Sequence, residues 1–174
     1  MPSSLETLNC VSEFAQRIET IVDLPWDEFR QRLPGMLHDA SDLGVSLTEA
    51  QRLGEAQKYA RHILHADAQG RFTVMALIWR EGQFSPIHGH WTWCGYAVLE
   101  GSLTEEHFHW SALSQTATLD KCVERPSGSV VISSAGLNEV HRLGNAHATP
   151  AVSLHVYGVA ADLAATRVNR VVTQ

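Results

Sequence analysis

From residue 59 to residue 159 the chain is a succession of short runs rich in Val, Ile, Thr and aromatic residues, most of them closed by Gly, Pro or Ser. Runs of that length and composition, with turn residues between them, build sheets. Residues 71–79 are apolar and β-branched almost throughout and read as a buried strand. Further strands are expected at 94–99, 102–110, 116–122, 129–132, 139–142 and 151–159. Many short strands with regular turns predict a mainly β fold, a sandwich or small barrel of the jelly-roll kind. The tail 160–174 admits a helical turn at 160–166 and a last edge strand at 168–172.

The residues before 59 have a different texture. Leu5, Leu8, Val11, Ala15, Ile18 and Val22 recur at three- and four-residue steps behind a cap at Ser3 or Ser4, the pattern of an amphipathic helix. Pro25 suits a first helical turn, and Trp26, Phe29 and Leu33 line one side of a short helix that is expected to end at Pro34-Gly35. Ser46-Leu47-Thr48-Glu49 has the form of a capping box and opens a third helix through Ala50 and Leu53. These helices are expected to pack outside the sheet structure. With 174 residues, 44% of them hydrophobic, the chain suits one core, so a single domain is expected over 1–174. Its parts are a helical region at 1–58, a β-barrel core at 59–159 and the tail.

Composition narrows the partners. A net charge of −6 and a pI near 5.9 argue against a nucleic-acid surface. No apolar run approaches the length of a membrane span and no leader is recognisable, so a cytoplasmic protein without membrane contact is expected, as a monomer or small homo-oligomer. Cys10, Cys94 and Cys122 are scattered and suggest neither a disulfide framework nor a zinc knuckle.

The chemistry concentrates in Ser85-Pro86-Ile87-His88-Gly89-His90-Trp91-Thr92-Trp93-Cys94. On a strand, His88 and His90 point to one face and offer two nitrogen donors to a transition metal. The full spacing, Gly82-x5-His88-x-His90-x3-Cys94-x6-Gly101, resembles the first motif of the cupin superfamily, where a glutamate ligand usually stands at the position of Cys94. A second cupin-like segment follows at 128–145, with His141 four residues before Asn145. The resemblance implies a cupin jelly-roll with His88, His90 and His141 as metal ligands. A ligating Cys94 thiolate would make a soft site for zinc or copper. Three imidazoles alone would leave a ferrous ion its full double charge, favouring an anionic ligand. Spacing leaves both readings open. The pair His107-x-His109, flanked by Glu105 and Glu106, lacks the glycine framing and reads as a solvated face.

Within the cupins, residues 59–157 are similar to the cysteine dioxygenase (thiol dioxygenase) family. Tyr59-x-Arg61 resembles the segment whose arginine binds the substrate carboxylate, and Trp79 stands where that family has a pocket tryptophan. Cys94 occupies the position of a cysteine that forms a thioether with the active-site tyrosine in animal members. Ser153-x-His155-x-Tyr157 matches the family's Ser-His-Tyr relay, and strand alternation puts the three on one face. Arg167 resembles an arginine used by bacterial members that act on mercaptopropionate, although those members have glutamine at the position of Arg61. Gly89 departs from the aspartate usual there, and Gly158-Val159-Ala160 replaces the Ser-Pro-Pro of animal members.

The resemblance implies an Fe(II) thiol dioxygenase that oxidises a small mercapto-carboxylate to its sulfinate with O2. L-cysteine is the first substrate expected, on account of Arg61. Alternatives are 3-mercaptopropionate, mercaptosuccinate if Arg61 and Arg167 both reach the pocket, and a non-catalytic metal-binding cupin.

Overall fold

A computed structural model of the chain describes residues 4–40 and 47–174, with side chains from residue 10 on. Three helices, α1 (Ser4–Glu19), α2 (Trp26–Asp39) and α3 (Glu49–Arg52), precede ten strands. The strands are β1 (Ala60–Ala66), β2 (Thr73–Trp79), β3 (His88–His90), β4 (Cys94–Glu100), β5 (Ser102–Ser111), β6 (Thr116–Pro126), β7 (Val130–Ser133), β8 (Gly136–Gly144), β9 (Ala151–Tyr157) and β10 (Asn169–Val171). They form two antiparallel five-stranded sheets, in the orders β1-β2-β9-β4-β7 and β10-β3-β8-β5-β6. This is the mainly β, double-sheeted jelly roll that the strand pattern predicts. No helix among the described residues is long and apolar enough to cross a membrane.

Alternation along the first sheet divides structure from chemistry. Val74, Ala76, Ile78, Ala97, Leu99, Val152, Leu154 and Val156 point outward into one apolar cluster with Phe14, Ile18, Phe29, Leu33 and Leu37 of α1 and α2. Met75, Leu77, Trp79, Cys94, Tyr96, Val98 and Tyr157 point the other way, into a second cluster that includes Leu103 and Leu143 of the opposite sheet. Every residue of β2 and of β9 is buried, as a strand covered on both faces must be.

Three local expectations are corrected. Helix α2 does not stop at Pro34-Gly35 but runs on to Asp39, with Pro25 as its N-cap residue rather than inside its first turn. An interior proline costs about 3 kcal/mol, and the packing of the turn beyond it offsets this. Phe29, Leu33 and Leu37 are buried at four-residue steps, and the last two settle on Gly95, where an added Cβ would lie 2.9 Å from Leu33 and 3.0 Å from Leu37. Helix α3 is a single turn capped by Thr48, whose hydroxyl accepts from the Gln51 amide while the Gln51 side chain accepts from the Thr48 N–H. The reciprocal cap therefore sits two residues later than the Ser46–Glu49 pattern indicated. Ser3, Ser46 and the side chains of Leu5 and Leu8 lie outside the described residues. The tail does supply an edge strand, β10, which pairs with β3 and is reinforced by Trp91 N–H to the Val168 carbonyl and Val172 N–H to the Ile87 carbonyl.

Leu37→Ala should destabilise the protein by about 2–5 kcal/mol in urea denaturation, because the helix carries Leu37 into the core past the proline. A loss below about 1 kcal/mol, the size usual for surface changes, would mean that this turn does not pack as described.

Candidate metal centre

Strand β3 lies between β8 and β10, and its register sets His88 directly opposite His141. His90 follows after an irregularity in the β3–β8 pairing, opposite Gly136. The space beside Gly89 is filled by the Gly136 carbonyl, which an added Cβ would strike. An aspartate side chain therefore has no room here, which accounts for that departure from the family pattern. The three imidazoles converge with their ligand atoms within 4.8 Å of one another and ring centroids 4.7–5.1 Å apart. Cys94 is not in this group.

All three rings are buried. Burial, followed by the charges of the neighbouring histidines, pushes His88 well below its ordinary pKa, and burial with the His141 charge brings His90 down to about 3. Neutral imidazole is the form that binds metal. The outer nitrogens are partly tied: His88 Nδ1 donates to the Pro86 carbonyl at 2.8 Å, and His141 Nδ1 donates to Glu105 Oε1 at 2.7 Å. His141 Nε2 and His90 Nδ1 are buried without a hydrogen-bond partner. Convergent imidazoles with orphaned nitrogens suit a divalent transition metal.

Glu105 was not among the residues singled out from the sequence, which placed it on a solvated face. It is 1% exposed, and its second oxygen accepts from Arg125 Nε at 2.8 Å. Burial works to raise its pKa, but the hydrogen bond and charge of His141, with Arg125, overcome this and hold the carboxyl at about 2. A buried carboxylate that accepts from a ligand's far nitrogen fixes the ring's tautomer and orientation. The available signal was alternation: Glu105 shares a face of β5 with Leu103, which is fully buried. His109, by contrast, is exposed, and His107 is half-buried beside Glu105.

A small cleft of about 20 Å³ adjoins the histidines, lined by Tyr59, Arg61, Trp79, His155, Tyr157 and Asn169 among others. Tyr59 stacks on Trp79 with ring centroids 4.3 Å apart, and its hydroxyl accepts from the Arg61 guanidinium at 2.6 Å. The Arg61 charge reaches inward, contributing to the lowered pKa of His88 and of His155. Tyr157 Oη lies 2.9 Å from His155 Nδ1, and Ser153 Oγ lies 2.8 Å from His155 Nε2. Cys94 faces Tyr157 across the β4–β9 pair, and burial pushes its thiol pKa upward, which favours the protonated form. The structure does not bring Arg167 to this cleft: it is exposed at the end of a run of turns, and Asn169, at the start of β10, lines the cleft in its stead. Asn169 lacked a recognisable motif, since only the pairing of β10 with β3 carries it to the site.

A jelly roll with three convergent histidines between its sheets defines a cupin. The family model for cysteine dioxygenase type I matches residues 48–163, more than half of the chain. Cysteine dioxygenase type 1 of Homo sapiens is 35% identical over 104 residues, covering 58% of this chain and 50% of that protein. The Danio rerio enzyme of the same name is 33% identical over 108 residues, covering 58% and 51%. This chain belongs to the cysteine dioxygenase type I family. It spans about half the length of the curated relatives it matches. Among solved structures, one from Thermus thermophilus is 20% identical with a TM-score of 0.49, covering 65% of this chain and 96% of that chain. A cupin superfamily protein from Desulfitobacterium hafniense is 14% identical with a TM-score of 0.46, covering 65% and 89%.

Glu105→Gln keeps the shape of the side chain but removes its charge, and should weaken metal binding by about 10–100-fold in chelator competition. His141→Ala should abolish high-affinity binding. Wild-type affinity in both variants would refute the ligand set.

Proposed function

We propose that the protein is a non-haem Fe(II) thiol dioxygenase that converts a small mercapto-carboxylate, L-cysteine first among them, and O2 to the sulfinate. The observation that carries this reading is a triad of convergent imidazoles with no carboxylate among them, beside a small cleft that Arg61 and Tyr157 both line. His88, His90 and His141 would hold the metal. Ferrous iron bound there supplies affinity for a thiolate and for O2 and the redox chemistry between them.

The chain's own groups do the rest. Arg61 takes the substrate carboxylate with its planar fork of donors, and Tyr59, hydrogen-bonded to that guanidinium and stacked on Trp79, sets its direction. Holding the carboxylate fixes the distance at which the sulfur meets the triad, so the cleft selects for chain length as well as charge. Tyr157, kept protonated by burial, donates a hydrogen bond to oxygen as negative charge develops. The burial of Tyr157 keeps bulk water from its hydroxyl and strengthens that contact. The mercaptosuccinate reading relies on Arg167 beside Arg61, and it counts against that reading that Arg167 is exposed and not among the residues lining the cleft.

Iron-loaded protein should take up O2 with cysteine and release sulfinate in equal amount. If neither cysteine, mercaptopropionate nor mercaptosuccinate supports uptake, the enzymatic reading fails in favour of a non-catalytic metal-binding cupin. Arg61→Ala should chiefly raise KM, since it removes ground-state binding; an unchanged KM would move the carboxylate site elsewhere. A Cys94–Tyr157 thioether, formed with O2 as oxidant, should appear in intact-protein mass spectra as the loss of two hydrogens that Cys94→Ser abolishes. A single unshifted mass after turnover would remove it.

A further inference from the structure

The Ser-His-Tyr hydrogen bonds do not end at Ser153. The Trp79 indole N–H donates to Ser153 Oγ at 2.8 Å, so four side chains form one line: Trp79, Ser153, His155, Tyr157. We infer that hydrogen bonding along this line runs one way, from Trp79 to Tyr157, and holds His155 as its Nδ1–H tautomer, so that the Tyr157 hydroxyl proton is left for whatever binds beside the histidine triad.

The direction follows from the supply of donors. An indole N–H can only donate, so Trp79 occupies a lone pair of Ser153 Oγ and cannot receive the serine proton. Ser153 is fully buried, and among the described residues its hydroxyl has one other partner, His155 Nε2. The serine proton is therefore satisfied only if Nε2 is the unprotonated nitrogen. Burial, then the charge of Arg61, keeps His155 neutral, so its single N–H must be on Nδ1, where it donates to Tyr157 Oη.

In the reverse direction Tyr157 would donate to Nδ1 and Nε2–H to Ser153, leaving the serine proton without an acceptor in a site closed to water. That orphan donor disfavours the reverse arrangement by about tenfold or more. Tyr157 differs from Ser153 in lining the cleft, where its proton can be claimed by a ligand. Trp79 is thus a positioning residue that works through Ser153, in addition to forming a wall of the cleft. The direction of the line stands whatever reaction the site runs; only the nature of the acceptor met by Tyr157 rests on the dioxygenase reading.

The test is long-range proton–nitrogen correlation NMR on the full chain labelled with 15N-histidine and 15N-tryptophan, metal-free and loaded with diamagnetic Zn(II). His155 should show a protonated Nδ1 and an unprotonated Nε2 in both states, by about tenfold or more, and the Trp79 indole proton should be protected from solvent exchange. An Nε2–H tautomer, an imidazolium, comparable populations of the two tautomers, or rapid exchange at Trp79 would overturn the inference. Ser153→Ala should release the lock and move both His155 nitrogens toward averaged shifts; an unchanged Nδ1–H population there would also overturn it. The wild-type spectrum needs no variant to fold, and a protein inactive on every thiol would leave these outcomes as they are.

Discussion

The backbone pairing of β3 is the constraint on which the site depends. A three-residue strand has little stability of its own, yet it carries two of the three imidazoles. It is held because β8 pairs along one edge and β10 along the other, with further backbone bonds on either side of β10. The same pairing brings His141 opposite His88. Gly89 makes the close approach of the two strands possible, since any side chain there would collide with the Gly136 backbone. Imidazoles from two strands are thus aligned by main-chain hydrogen bonds, which are less easily displaced than side-chain contacts.

Charge is distributed with similar economy. Glu105, a carboxylate buried beside the histidines, is met by Arg125 on one oxygen and by His141 on the other, so it is satisfied without joining the three imidazoles. Burial, with the neighbouring histidines, holds His88 well below the ordinary imidazole pKa and His90 at about 3, so these two stay neutral. Arg61, at the exposed side, is the cationic side chain that lines the cleft. A divalent metal held by the three imidazoles, next to a guanidinium, would make an electrostatic environment that favours small anions. That is the physical basis for reading the cleft as a place for a mercapto-carboxylate.

The first sheet separates two tasks by the alternation of its residues. Its outer face is aliphatic and carries α1 and α2, which stiffen β2, β4 and β9 from behind. Its inner face carries Trp79, Tyr96, Ser153, His155 and Tyr157, and Tyr96 stacks on His155 at 5.2 Å between centroids. Rotamers in such a packed layer are few, so the hydrogen-bonded line from Trp79 to Tyr157 is fixed by packing as well as by polarity.

Much of this is legible in the residues alone. His88-x-His90 and Ser153-x-His155-x-Tyr157 can be read because a strand's period of two assigns their faces without further knowledge. The strand pattern likewise predicts the jelly roll. Less visible are features decided by contacts between distant segments. The burial of Glu105 depends on Arg125 and His141 arriving on neighbouring strands, and a sequence flanked by charged residues reads as solvated until they do. Helix α2 passes Pro34 because Leu37 finds a place over Gly95, a tertiary gain that local propensity does not register. Arg167 and Asn169 are two residues apart, and only the turn before β10 decides which of them lines the cleft. The sequence by itself determined the kinds of donor and the strand faces they occupy, since these follow from local periodicity. The tertiary structure alone decided which carboxylate orients His141, which tail residue lines the cleft and that Trp79 meets Ser153, since each depends on partners that are close in space and far apart along the chain.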